Sequence, residues 1–256
     1  MQADAPAAMV DQSLAAEFSL RSQPVWVSPR MRLAGLLIVL AVAVLPFLLG
    51  TVFAVYGSGV VATQSATRYR YSYSLLTELT SLALLGYVIH QNGQRVSDLG
   101  LSLQTCDIQH AFLLMVAGSV AYQFSFLVIA RVYMSLEGHT PPPPFIPAAG
   151  LGVTLFTLIF ALVNPFFEEL IVRAFLISET VALTGSSVLA VAISVGLQTA
   201  YHLYQGRVYA GAIGVTFLIF SIYYVRTHRI LPVILAHLWF DVWGLVVNPL
   251  FRSGHS

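Results

Sequence analysis

From residue 33 onward the chain alternates long apolar runs with short polar or turn-forming segments. The runs are long enough to be read as membrane-spanning helices, which need about 20 apolar residues each. The pattern predicts spans over 33–56, with Pro46 as a tolerated kink, and over 71–90, carrying Glu78. Further spans are predicted over 111–133, 148–177, 187–204, 208–225 and 231–247. Between them lie a polar loop at 57–70 and a second loop at 91–109, where 96–101 is expected to lie along the interface. Pro141 to Pro144 form a stiff polyproline stretch that cannot be helical. The run 148–177 would be about 45 Å long as one helix, more than the roughly 30 Å hydrocarbon core. Pro165 is therefore expected to bend it and free carbonyls beside the following glutamates. The fold class is all-α, a polytopic transmembrane helical bundle of seven spans, or eight if one of the first four divides. No internal repeat is visible.

Composition supports this reading. The chain is 57% hydrophobic and only 9% charged, against about 25% charged in an average soluble domain. It is an integral membrane protein, with the lipid bilayer as its surroundings and a plasma (inner) membrane as the expected site. All 12 basic residues are Arg, and the net charge of +1 gives no reason to expect a nucleic-acid partner. The single Cys106 leaves no intrachain disulfide and no Cys-based metal site. Because about 30 polar-to-mixed residues precede the first run, that run is expected to stay as an anchor rather than act as a cleaved signal. The organisation read from the pattern is a flexible tail over 1–30, with Trp26 suited to the interface, and N-terminal helices over 31–145. A second membrane region, denser in ionisable groups, follows over 146–250, then a short tail over 251–256. With the N-terminus inside, six arginines fall on the cytoplasmic side and five outside, a slight preference for N-in.

The chemistry concentrates in Asn164-Pro165-Phe166-Phe167-Glu168-Glu169-Leu170-Ile171-Val172-Arg173, three charges within an apolar run. A charge at the bilayer centre costs roughly 2.5–3.5 kcal/mol on insertion scales, so three cost about 8–10 kcal/mol, comparable with the stability of a whole domain. Such groups must face a protein-lined or wet interior. Glu169 and Arg173 stand at i and i+4 with the acid first, the better orientation for a helical ion pair. Glu168, about 100° further round, needs a partner from another helix.

His202, His237 and Asp241 are the other ionisable groups of the second-half spans, and His237 and Asp241 share one helical face. From a rise of about 1.5 Å per residue, Glu168 lies ~15 Å and His237 ~13 Å below the cytoplasmic ends of their helices. Those depths match. A hairpin turning near residue 182 would leave His202 about 7 Å past Glu168. A carboxylate and an imidazole can activate water beside a second imidazole that stabilises developing charge. Each group alone has a structural explanation: a membrane ion pair, an interfacial histidine, a self-satisfied His–Asp contact. Three motifs on three helices of one half are harder to explain that way.

Glu168-Glu169-x-x-x-Arg173, then His202, then His237-x-x-x-Asp241 resembles the CAAX prenyl protease 2 family, also called CPBP or Abi, of intramembrane glutamic endopeptidases. The approach from Thr227 through Pro232 to His237 is also similar to that family, and the resemblance covers about 150–245. It implies that Glu168 and His202 activate the attacking water, while His237 and Asp241 hold the oxyanion. Glu169 and Arg173 would orient the site or grip the substrate. It further implies metal-free chemistry and a membrane-associated protein or peptide substrate. Two positions depart from the pattern: Gln198 stands where the family usually has an aromatic residue, and Asp241 where Asn is common. A carboxyl donates a hydrogen bond only when protonated, so Asp241 could instead orient His237 or neutralise Arg173.

Three other readings compete. Glu168, His202, His237 and Asp241 are a chemically acceptable Zn²⁺ ligand set, which would make a zinc-dependent version of the same protease. A catalytically silent relative, serving as an immunity or scaffold protein, would be expected to have lost Glu168 or a histidine, and none is lost. A proton-coupled transporter would use buried Glu, Arg and His as a relay, but transporters place broken helices in both halves, and here the charges cluster in one. His-Glu-x-x-His, a pair of membrane aspartates and Gly-x-Ser-x-Gly are all absent from the sequence.

Overall fold

The computed structural model describes residues 27–56, 64–144 and 154–247. The expectations for the tails, for the interfacial turn around Trp26 and for residues 57–63 of the 57–70 loop lie outside those residues. The described residues are helical with short connections and no strand. Helices α1 (Pro29–Ala43) and α2 (Leu45–Tyr56) form one apolar pair bent by 41°. They are followed by α3 (Gln64–Gln91) and α4 (Asp107–Glu137). The long helix α5 (Leu155–Thr184) comes next, then α6 (Ser187–His202), α7 (Arg207–Thr227) and α8 (Leu231–Val242), the last continued by a π-helical turn over Trp243–Val247.

Five helices among the described residues are long and apolar enough to cross a membrane, six if the α1–α2 pair counts as one span. Leu231–Leu245 is apolar but shorter. The expected seven spans therefore correspond to seven apolar helical segments, of which the last is short for a full crossing. The predicted loop at 57–70 is shorter than expected, because α3 already begins at Gln64.

Pro165 does not break its helix. It lies inside α5, and the helix continues through eight π-helical residues, Glu168–Phe175, to Thr184. A proline interior to a helix removes one N–H donor and crowds the preceding turn, and a wider turn is one way to accommodate that. All eight π-helical residues are buried, whatever direction their side chains point. The segment is surrounded by protein, where irregular backbone is tolerated at membrane depth. One buried apolar cluster runs from Leu36 and Val39 of α1 through Ile171 and Phe175 of α5 to Ile234 and Ala236 of α8. Outward faces such as Phe112, Val120 and Phe124 of α4 are exposed, as expected for surfaces that meet lipid.

Helix α5 ends at Gly185, in the left-handed region at φ 70°, and Ser186 caps α6 by accepting from Leu189 N–H. The hairpin thus turns at 185–186 rather than near 182. The segment 96–101 docks on the protein through its second half. Leu99 is buried in the core, its carbonyl accepts from the Tyr224 hydroxyl at 3.1 Å, and the Gly100 carbonyl accepts from Ile230 N–H at 3.2 Å. The α3–α4 connection is thereby docked on the α7–α8 turn, where His228 adopts φ 53°.

Gly100 is required at that docking point. Its φ is +81°, and a β-carbon there would run into the His228 carbonyl. Gly100→Ala is expected to destabilise the protein by about 1–3 kcal/mol, from strain at a left-handed position together with the clash. A lowered melting temperature in detergent checks this, with Gly138→Ala as the comparison: Gly138 has φ +75° but open space around it.

Candidate active site

Glu168, His202, His237 and Asp241, the four residues expected to carry chemistry, line one cavity of about 370 Å³. Asn164, Tyr201, Thr51, Tyr71 and Ser74 also line it. Glu169 and Arg173 stand behind its wall and are fully buried. The site draws on α2, α3, α5, α6 and α8, so both halves of the chain contribute to it.

The load-carrying contact is the ion pair between Arg173 and Glu169, one turn apart on α5. Arg173 is also engaged on its other nitrogens. Nε donates to Ser221 Oγ at 3.1 Å and Nη2 to Gln198 Oε1 at 2.6 Å. Its guanidinium packs over the rings of Phe217 and Phe220, 5.4 and 5.5 Å from their centroids. Gln198, which stands where the resembled family has an aromatic residue, therefore serves to hold the arginine. With its donors directed to Glu169, Gln198 and Ser221, Arg173 is placed to organise the site from behind.

Glu169 has a second partner besides Arg173. Its Oε1 faces His237 Nδ1 at 2.7 Å. Since a carboxylate accepts, Nδ1 carries the hydrogen and points Nε2 into the cavity. That nitrogen lies 3.9 Å from Glu168 Oε2 and 3.7 Å from Asp241 Oδ1. The depth match between Glu168 and His237 is thus realised as side-chain proximity. The residue that orients His237 is Glu169, not Asp241. Asp241 is held from α5: its Oδ2 accepts from Asn164 Nδ2 at 2.9 Å.

His202 reaches the same cavity although the hairpin estimate placed it too far along. Moving the turn from 182 to 185–186 brings the position opposite Glu168 to about residue 203, and the 7 Å discrepancy disappears. His202 Nδ1 is 2.8 Å from the Gln198 carbonyl, so Nδ1–H is the donor and Nε2 is left as the acceptor or base. Thr51 of α2 donates to the Tyr201 carbonyl at 2.7 Å, fixing the end of α6 from the N-terminal half.

Among the described residues no group of three or more His, Cys, Asp or Glu side chains is arranged to hold a metal ion. The four-residue zinc set considered from the sequence is not assembled in a metal-binding geometry. Asn164, Gln198 and Ser221 have clear positioning roles that the sequence reading did not assign. An amide or hydroxyl inside an apolar span was the available signal, and Asn164 stood at the head of the charged stretch.

Residues 150–243 match the family model described as "Rce1-like: Type II CAAX prenyl endopeptidase Rce1-like". Over that stretch, which is less than half of the chain, the sequence is similar to the CAAX prenyl endopeptidase family. The match begins just before α5 and ends just after Asp241, so it contains every residue singled out above from the second half of the chain. No curated protein and no solved structure matches the chain.

Glu169→Gln should destabilise the protein by about 3–5 kcal/mol, the usual cost of removing one partner from a buried ion pair, and should also loosen His237. Thermal melts of the purified variant against wild type measure this. Glu169→Gln together with Arg173→Met, which leaves no unpaired charge, should recover much of the lost stability.

Proposed function

We propose that the protein is an intramembrane endopeptidase in which Glu168 and His202 activate water and His237 stabilises the tetrahedral intermediate. The observation that carries this reading is the convergence of Glu168, His202 and His237 on one cavity, with the free ring nitrogen of each histidine available there. Glu168 removes a proton from water, and the hydroxide formed adds to the scissile carbonyl carbon. The carbonyl oxygen becomes an oxyanion. Glu168 then returns the proton to the amide nitrogen as the C–N bond breaks, leaving a carboxylic acid and an amine, which exchange a proton to become carboxylate and ammonium.

The hydrogen bond to Glu169 constrains His237's part. With Nδ1–H committed to Glu169, His237 can offer a donor at Nε2 only as the imidazolium. The carboxylates of Glu169, Glu168 and Asp241 stand around it. Asn164 keeps Asp241 turned toward the ring. In this reading Glu169, Arg173, Gln198 and Ser221 are positioning residues. No metal takes part, and the substrate is a membrane-associated protein or peptide. The polar and aromatic lining, with Tyr71, Tyr73 and Phe160 beside the charged centre, suits an extended peptide with an apolar attachment. Residence in the plasma membrane with the N-terminus in the cytoplasm completes the proposal.

Glu168→Gln should abolish cleavage of a fluorogenic prenylated CAAX peptide while leaving the melting temperature close to wild type, since Glu168 does not take part in the Arg173 ion pair. Cleavage by this variant at the wild-type rate would sink the mechanism. The unprenylated form of the same peptide shows whether the lipid group contributes to recognition. Treatment with EDTA or phenanthroline should leave activity intact. Complete loss restored by zinc alone would replace the mechanism with a metal-assisted one.

A further inference from the structure

Glu168 Oε2, Gln198 Nε2 and the Tyr201 hydroxyl are buried polar atoms of this site without a hydrogen-bond partner among the described residues. Buried orphans of this kind are uncommon, because each carries the full cost of leaving water. His237 Nε2, at 3.9 Å from Glu168 Oε2, is beyond hydrogen-bond reach. By chemistry the three atoms complete one another. The amide N–H only donates, the phenol both accepts and donates, and the ionised carboxylate only accepts.

Their placement matches that chemistry. Gln198 and Tyr201 stand at i and i+3 on α6, so they share a face of the helix. Gln198 Oε1 is taken by Arg173 Nη2 at 2.6 Å, which fixes the amide and leaves Nε2 as its free donor. Tyr201 lines the cavity together with Glu168 and His202. Thr51 of α2 donates to its carbonyl at 2.7 Å, and its ring centroid lies 4.7 Å from that of His202 and 6.3 Å from that of Phe47. The ring is thus anchored from α2 and by the neighbouring imidazole. Its hydroxyl is within interaction range of both the Glu168 carboxylate and the Gln198 side chain.

Resting on the endopeptidase reading, we propose that Tyr201 is a positioning residue for Glu168: its hydroxyl accepts from Gln198 Nε2 and donates to Glu168 Oε2. A chain of contacts then runs from Arg173 through Gln198 and Tyr201 to the base. One held oxygen sets the plane of the Glu168 carboxylate and leaves the other to take the proton of water. Tyr201 acts through Glu168 rather than on the substrate. Gln198 acquires a second task beside holding Arg173, one that needs an amide. An aromatic side chain at that position, as in the resembled family, has no amide to bridge Arg173 and Tyr201.

Infrared spectroscopy of the full chain in detergent, with ring-labelled tyrosine, gives a readout independent of activity. Subtracting the spectrum of Tyr201→Phe isolates the C–O stretch of Tyr201, whose position distinguishes a phenol that donates from one that does not. The band should mark a strong donor in the wild type. It should move toward a weaker donor in Glu168→Gln, because a neutral amide accepts less strongly than a carboxylate. It should also move in Gln198→Met, where the amide donor is gone. Tyr201→Phe keeps the ring against His202 and Phe47, so its melting temperature should stay close to wild type. With the fluorogenic prenylated peptide, the same variant should lose about 10- to 100-fold in kcat, the scale of a hydrogen bond to a charged group, with KM within about twofold. A band without donor character, or one unmoved in Glu168→Gln or in Gln198→Met, would overturn the proposal. So would a wild-type kcat for Tyr201→Phe in an assay where Glu168→Gln is inactive, a loss confined to KM, or a loss that follows a lowered melting temperature. If wild type does not cleave the peptide at all, the endopeptidase reading is what fails, and the infrared band still decides the hydrogen bond from Tyr201 to Glu168.

Discussion

The buried pairing of Arg173 with Glu169 is the constraint on which the rest of the site depends. A guanidinium at membrane depth is tolerable only when its donors are used, and here they are taken by residues from three helices. Glu169 from α5, Gln198 from α6 and Ser221 from α7 converge on it, with Phe217 and Phe220 beneath its plane. Glu169 in turn extends the network to α8 through His237. Satisfying one arginine therefore fixes the relative positions of four helices. The cavity in front of it inherits that geometry.

Glu168 and Glu169 are adjacent in sequence and of the same chemical type, yet they have separate tasks. Glu169 gives one oxygen to Arg173 and the other to His237 and does not line the cavity. Glu168 lines the cavity and keeps a buried oxygen without a hydrogen-bond partner among the described residues. Neighbouring positions on a helix differ by about 100° in direction, enough to put one carboxylate inside the packing and the other at the reaction space.

Much of this was legible from the sequence. The all-helical membrane architecture follows from the apolar runs, and the i,i+4 spacing announced the Glu169–Arg173 pair. Depth counting placed Glu168 beside His237 because both lie on single, nearly uninterrupted helices. It failed for His202 because the result depends twice on the turn position, so a displacement of three to four residues at Gly185 became seven across the hairpin. The second partner of Glu169 was not legible, since i,i+4 logic sees only contacts within one helix. The roles of Asn164, Gln198 and Ser221 were hidden for the same reason: each is a long-range contact, separated by 25 to 77 residues from its partner. Pro165 was expected to bend its helix; the π-helical continuation that follows it was not legible, because the surrounding helices that make it tolerable are invisible to a local reading.

The enclosure of the Glu168–Phe175 segment bears on how the protein is made. Its charged groups make further hydrogen bonds with Gln198, Ser221 and His237, all of which follow it in the chain. When α5 leaves the ribosome those partners do not yet exist. Arg173 and the two glutamates must then be accommodated by each other, by water or by the insertion machinery. Biogenesis therefore orders the site: the Glu168–Phe175 segment can complete its contacts only after α8, which carries His237, has been synthesised.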